Sequence, residues 1–218
     1  SDKDGFIGQV AEALSEDSPD AQGARIEFAS QQTWQRRVDD LIEAVGRIRE
    51  PRVTIIVVTF NNLHLTRDCL ESLVRFSDYD NYEVIVVDNC SEDGTREFLM
   101  SEYGDKEGWK IILNSTNRGF AAANNQGLKA ATGDYLVLLN NDTVVTWGWL
   151  RTALGHFRRD RDIGILGPVT NNIGNEARVA TSYKDIDGMH REASSLTARN
   201  MGKSFDIHTL GFFCAMFP

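Results

Sequence analysis

Cysteine is scarce. Cys69, Cys90 and Cys214 are the only three, far apart and in no metal-like spacing. An odd, unpatterned count argues against a disulfide framework and fits reduced thiols. The four histidines, His64, His156, His190 and His208, stand alone, which counts against a histidine zinc site. No apolar run approaches the ~20 residues that a bilayer requires, and the N-terminus is polar and acidic. Neither an anchor nor a signal peptide is therefore expected. An excess of positive charge is also missing. Lys and Arg number 23 against 32 Asp and Glu, a net charge of −9. That balance disfavours a nucleic-acid groove or an anionic-membrane patch as the main surface, while leaving room for a local phosphate pocket. The usual nucleotide fingerprints are absent as well. No Gly-x-Gly-x-x-Gly follows a strand-like run. Gly202-Lys203-Ser204 imitates the end of a P-loop, but Thr197 stands where that motif needs its first glycine.

What is present is an ordinary globular composition: 218 residues, 41% hydrophobic and 25% charged, enough for one domain with an appendage. Ser1 to Ala29 is poorly patterned, and Ser15 to Gly23 reads as a flexible acidic stretch. A helix is expected next. Trp34, Val38, Leu41, Ile42, Val45 and Ile48 form one apolar stripe, with Ser30 or Thr33 as its cap and Pro51 as its stop. Such a face needs a surface to cover, so the helix is expected to pack on the domain that follows or on another domain of a longer parent chain. Residues 1–50 are thus read as an extension, 51–168 as the main domain, and 169–218 as the start of a further region.

From Arg52 onward strands and helices alternate. Val53 to Thr59 is a continuous β-branched run, as in a strand buried on both faces. The order continues with a helix at 65–76, a strand at 83–88, a helix at 95–103, a strand at 110–113, a helix at 120–131 and a strand at 134–139. A helix at 147–158 and a short strand at 163–166 complete it. This grammar predicts an α/β fold with a mainly parallel sheet flanked by helices. Thr170 to Lys203 is polar, with no clean period, and reads as functional or mobile loop.

In open parallel sheets, ligands sit beyond the carboxyl ends of the strands. The expected tips are Thr59-Phe60-Asn61-Asn62, Asp88-Asn89-Cys90-Ser91, Asn114 to Gly119, and Asn140-Asn141-Asp142. One such tip would be a turn, because Asn and Asp bond their own backbone. Successive polar tips along one edge argue for a polar ligand lying across it. Asp142 has two readings. One carboxylate suffices for Mg2+ or Mn2+ if a diphosphate and water supply the other oxygens. The same residue also suits an Asx-turn. Asn89, Asn114 and Asn141 each open a glycosylation triplet, which is read as coincidence.

Four stretches then stand out together: Val53 to Asn61, Val86 to Thr95, Asn117 to Gly127, and Leu138-Leu139-Asn140-Asn141-Asp142-Thr143. In order and spacing they resemble the successive blocks of family 2 glycosyltransferases, which have the Rossmann-like GT-A fold. The resemblance covers about Pro51 to Pro168, and more loosely the rest. It implies that the base and ribose lie near Thr59, Phe60, Asn61, Asp88 and Asn89. It places the segment holding Asn117, Gly119, Phe120, Asn124 and Asn125 along the nucleotide and sugar. It makes Asn140-Asn141-Asp142 the counterpart of the Asp-x-Asp metal motif, with Asp142 the sole protein ligand to Mg2+ or Mn2+. Asn89 and Asn140 both stand where acids are common in the family. The Asn-Asn-Asp form is similar to rhamnosyltransferase-like enzymes of bacterial cell-surface polysaccharides.

The resemblance implies a nucleotide-diphospho-sugar donor, UDP- or dTDP-linked, and inverting transfer to a glycan or lipid-linked acceptor. The unpaired cysteines and polar N-terminus lead to the expectation of a cytoplasmic location, with the inner face of the membrane as the peripheral alternative. Leu210 to Pro218 resembles the strand before the family's acceptor-side acidic motif, so the catalytic base is expected beyond Pro218. Asp185, Asp187 and Asp206 do not match that motif. The alternatives are a nucleotidyltransferase-like enzyme, which would carry a basic Gly-rich loop after the first strand, and a non-catalytic binding module on the same fold.

Overall fold

The computed structural model describes residues 3–15, 18–46 and 50–218. It divides into two compact units, Ser1–Glu50 and Pro51–Pro218. The first unit contains helices α1 (Lys3–Ser15), α2 (Pro19–Gln31) and α3 (Trp34–Gly46). Two of these lie where the sequence reads as unpatterned or flexible. Helix α2 has no apolar stripe, and in α1 Phe6, Ile7 and Val10 share one face over a period too brief to stand out. Their Ala, Glu and Gln content also favours helix, and Pro19 suits a first helical position. Glu16 and Asp17, inside the expected flexible stretch, lie outside the described residues. Thr33 rather than Ser30 caps α3, accepting from the Arg36 N–H at 3.2 Å. On the α3 stripe Trp34, Val38, Leu41 and Ile42 are exposed, and Ile48 lies outside the described residues.

The second unit is built on a five-stranded sheet of order β3-β2-β1-β4-β5. Its strands are β1 (Val53–Thr59), β2 (Tyr82–Asp88), β3 (Trp109–Leu113), β4 (Tyr135–Asn140) and β5 (Cys214–Phe217). The pairs β1–β2, β1–β4 and β2–β3 are parallel, while β5 runs antiparallel to β4. Every residue of β1 is buried, as a central strand covered on both faces requires.

Alternate β1 side chains enter two cores. Val53, Ile55 and Val57 meet Leu70 and Leu73 of α4 (Leu63–Phe76), Leu99 of α5 (Thr95–Tyr103), and Leu150 and Leu154 of α7 (Trp149–Arg159). Ile56 and Val58 meet Ala123 and Leu128 of α6 (Phe120–Ala130). Close approach at this second face depends on Gly127, because a Cβ there would stand 2.4 Å from Cγ2 of Ile56.

Three expectations need correction. Residues 163–166 form no strand; Leu166 makes a single antiparallel bridge to Met216. Helix α7 starts at Trp149, not Trp147, because Gly148 takes a left-handed φ of 78° just before it. The polar stretch 170–203 contains a helix, α8 (Ile186–Asn200), started by Asp185, whose carboxylate accepts from the Gly188 N–H. No α8 side chain is fully buried, and its apolar positions, Ile186, Met189, Ala193 and Leu196, are sparse within a polar sequence. Among the described residues no helix is long and apolar enough to cross a membrane.

Candidate functional site

The sheet order fixes where a site can form. From β1 the chain winds outward through β2 and β3, then returns to place β4 on the other side of β1. A crevice therefore opens at the carboxyl ends of β1 and β4. Thr59, Phe60 and Asn61 lie on one side of it and Asn140, Asn141 and Asp142 on the other.

The two sides are bonded together. Asn141 Nδ2 donates to Thr66 Oγ1 at 2.9 Å and to Thr59 Oγ1 at 3.3 Å, and those hydroxyls share a bond of 2.8 Å. Thr59 and Thr66 are fully buried. The Thr59 side chain thus serves the framework, leaving only its neighbours Phe60 and Asn61 at the surface. The Asn140 backbone is also engaged: its N–H donates to Phe213 O at 2.8 Å and its carbonyl accepts from Thr143 N–H at 3.2 Å. Asp142 differs from both. Its carboxylate is exposed, and no hydrogen bond or ion pair joins it to the described residues.

The tip of β1 is tightly wound. Asn61 and Asn62 both adopt left-handed backbone, with φ of 55° and 58°. Consecutive non-glycine residues in this region are costly and need outside support. Support comes from the next loop. Ser91 Oγ accepts from the Asn61 N–H at 2.7 Å, and Asn61 Oδ1 accepts from the Glu92 N–H at 2.9 Å. Asp93 completes the clasp by accepting from the Leu63 N–H at 2.9 Å, which caps α4, and from Thr95 Oγ1 at 2.6 Å. Desolvation pushes the Asp93 carboxyl up, but these bonds from Thr95 and Leu63 outweigh it and leave the group below its ordinary value.

Asp88 is fully buried at the tip of β2. Its carboxylate accepts from the Ser91 N–H at 3.1 Å and pairs with Arg96 at 3.7 Å. Arg96 also donates to Asn114 O at 2.9 Å, tying β2 to β3. Asn89 is 3% exposed and its acceptor is filled, taking bonds from Arg118 N–H at 2.9 Å and Asn114 Nδ2 at 3.2 Å. Its own Nδ2 donates to Asn117 Oδ1 at 2.7 Å. Asn89 therefore holds the loop from Asn114 to Gly119, and has little left to offer a ribose. Asn124 is buried and donates back to Phe120 O at 2.9 Å within α6, whereas Asn125 is exposed. Phe60 and Phe120, 46% and 53% exposed, are the aromatic faces of this edge, able to stack on a flat ring.

The structure thus brings the expected strand tips together on one edge and sorts them. Phe60, Asn117, Gly119, Phe120, Asn125 and Asp142 are exposed there, while Asn61 and Asn140 are half-buried. Thr59, Asp88, Asn89 and Asn124 lie behind them, and Asn141 is turned inward. Thr66, Arg96 and Gln126 are supporting residues that sequence reasoning missed. Each sits on a helix and becomes visible only when that helix docks. The glycosylation triplets resolve in the same way, because Asn89 and Asn114 are buried and the Asn141 amide is bonded inside.

Known proteins share this architecture. The chain is 25% identical over 158 residues to the glycosyltransferase AglE of Haloferax volcanii, covering 72% of this chain and 52% of that protein. It is 28% identical to the poly-beta-1,6-N-acetyl-D-glucosamine synthase of Staphylococcus aureus, over 62% of this chain and 32% of the relative. The chain therefore spans about half the length of these curated relatives or less. A mannosyltransferase from Pyrobaculum calidifontis, solved in complex with GDP-Man and Mn2+, superposes with a TM-score of 0.50 at 30% identity. That likeness covers 56% of this chain and 36% of the mannosyltransferase. S. aureus TarS has the same fold, with a TM-score of 0.51 at 24% identity over 62% of this chain and 24% of TarS. The family described as Glycosyl transferase family 2 matches residues 54–218, and on that match over most of its length the chain belongs to glycosyl transferase family 2.

Proposed function

We propose that this chain binds a nucleotide-diphospho-sugar, UDP- or dTDP-linked, along the carboxyl edge of its sheet and presents it for inverting transfer to a glycan or lipid-linked acceptor. One observation carries the reading. At the β1/β4 switch point a single exposed carboxylate, Asp142, follows an asparagine, Asn141, whose amide is held inside the framework. Among the described residues no three His, Cys, Asp or Glu side chains converge as a closed metal cage. Asp142 alone fits a divalent cation whose remaining ligands are phosphate and water oxygens. The Mn2+ and GDP-Man bound by the similar mannosyltransferase support the same assignment.

The residues divide the work. Phe60 and Phe120 offer aromatic faces to the base or sugar, and the amides of Asn117 and Asn125 bond its oxygens. Asp142 would hold Mg2+ or Mn2+, and the chemistry such a cation supplies is charge neutralisation of the departing diphosphate. In the transfer the bond from the anomeric carbon to the diphosphate oxygen breaks. A bond to the acceptor hydroxyl oxygen forms on the opposite face, and the hydroxyl proton passes to a base. The buried supports fix the exposed groups before the donor arrives, which lowers the ordering cost of binding.

Calorimetry with UDP, dTDP and GDP, each with and without Mn2+, tests the reading. Binding of at least one that strengthens with Mn2+ is expected, and Asp142→Asn should remove the Mn2+ dependence. Absence of binding by all three, or unchanged Mn2+ dependence in the variant, would overturn it.

A further inference from the structure

A chain of side-chain amides runs behind the candidate donor site and ends at its surface. Asn114 and Gln126 form a reciprocal pair, Asn114 Nδ2 donating to Gln126 Oε1 at 2.8 Å and Gln126 Nε2 to Asn114 Oδ1 at 2.9 Å. Asn114 Nδ2 also donates to Asn89 Oδ1 at 3.2 Å, and Asn89 Nδ2 donates to Asn117 Oδ1 at 2.7 Å. Two backbone groups fix the sense of this chain. The Arg118 N–H donates to Asn89 Oδ1 at 2.9 Å, and the Gly119 N–H donates to Asn117 Oδ1 at 2.9 Å. A backbone N–H can only donate, so each amide must face it with oxygen. If Asn89 flipped, its NH2 would meet the Arg118 N–H and the Asn114 NH2. If Asn117 flipped, its NH2 would meet the Gly119 N–H and the Asn89 NH2. Each flip replaces two hydrogen bonds with donor–donor contacts in a largely buried network.

The consequence appears at the exposed end. Both acceptor positions of Asn117 Oδ1 are taken, and its Nδ2 donates to none of the described residues. The outward face of Asn117 is therefore a donor only.

We propose that Asn89, oriented by the Arg118 N–H and braced by the positioning residues Asn114 and Gln126, acts with the Gly119 N–H to lock the Asn117 amide so that it offers the donor nucleotide only N–H groups, against an oxygen acceptor of the diphosphate. The proposal rests on the nucleotide-sugar reading given above. It assigns that reading's site a polarity that the Gly119 N–H starts and the bond from Asn89 completes.

Isosteric substitutions test it. Asn117→Asp keeps an oxygen for the Asn89 and Gly119 donors, so the network and the unfolding midpoint should be preserved. Outward, it replaces a donor with an anionic oxygen, and affinity for UDP, dTDP or GDP with Mn2+ should fall about 10- to 100-fold. Gln126→Glu removes the N–H that holds Asn114 Oδ1 and sets two oxygens face to face. Its affinity, as a ratio to wild type at the same pH, should be about 10-fold down near pH 8. That ratio should recover as pH falls toward about 4, as the introduced carboxyl takes up a proton and donates again. Preserved binding in Asn117→Asp, or a pH-independent ratio in Gln126→Glu, would overturn the proposal. Failure of the wild type to bind any of the three nucleotides would instead overturn the function reading.

Discussion

The side-chain amide of Asn141 reaches back 2.9 Å to the hydroxyl of Thr66, so the loop carrying Asp142 is fastened to the first turn of α4. The bond crosses the crevice between the tips of β1 and β4. It separates the roles of two neighbouring residues: Asn141 holds the loop, and Asp142 is what the loop presents.

Asn141→Ala should therefore cost stability, about 1–2 kcal/mol, because it strips a bond from two buried hydroxyls. Asp142→Asn should leave the unfolding midpoint unchanged, since its carboxylate makes no hydrogen bond or ion pair with the described residues, while removing Mn2+-dependent nucleotide binding. Denaturant melts and calorimetry on the two variants check the division. A large loss of stability in Asp142→Asn would show that the carboxylate is structural after all.

Gly127→Ala should destabilise the second unit. The added methyl would stand 2.4 Å from Cγ2 of Ile56, a β-branched side chain on the fully buried central strand with nowhere to move. Overpacking of this kind costs about 1–3 kcal/mol, more than the ~1 kcal/mol that alanine gains over glycine in a helix. Gly8 in α1 provides the control, because a Cβ there meets nothing within 4 Å. Gly8→Ala should not destabilise, and equal losses at both positions would refute the packing argument.

Glu83 should make the second unit sensitive to acid. Burial raises its carboxyl pKa, but the Thr54 hydroxyl, the Thr132 N–H and hydroxyl, and Arg52 together hold the group below its ordinary 4.5. A lowered folded value means that the unfolded chain binds the proton more readily. The stabilisation is complete above about 4.5 and is lost as pH falls through the lower folded value. Gln at this position cannot titrate. Urea midpoints of wild type and Glu83→Gln should therefore converge as pH drops below that window. A constant difference down to about pH 3 would contradict the linkage.

His190 should loosen α8 at mildly acid pH. Its ring lies 3.9 Å from that of Phe76, joining α8 to the end of α4. Desolvation and the nearby Arg75 lower its pKa from the ordinary 6.5, and Asp187 only partly opposes them. The folded state favours neutral imidazole, so stability rises with pH up to about 6.5 and declines below it. Amide exchange in α8, corrected for intrinsic rate, should quicken between about pH 7.5 and 5.5, and His190→Phe should abolish the change. Equal pH dependence in the variant would exclude His190 as the cause.

The parallel core was legible in the chain because each signal is local. A β-branched run such as Val53 to Thr59 encodes a strand buried on both faces, and polar residues straight after such runs mark one sheet edge. The helices outside that core were not legible. In α2 there is no apolar period, and in α1 and α8 it is brief and set among polar residues, so little periodicity marks them.

The sequence alone determined the alternation of strands and helices from Val53 to Arg159, the four polar tips and the presence of Asp142 at the last of them. It could not decide which polar residues face a ligand and which hold the others in place, because Asn is equally suited to both. That was decided when the helices docked. Thr66 captured the Asn141 amide, Gln126 paired with Asn114, and Asn89 filled its acceptor positions with partners distant in sequence. An amide becomes a support where the fold satisfies its donors and acceptors, and remains available for binding where one group still faces solvent.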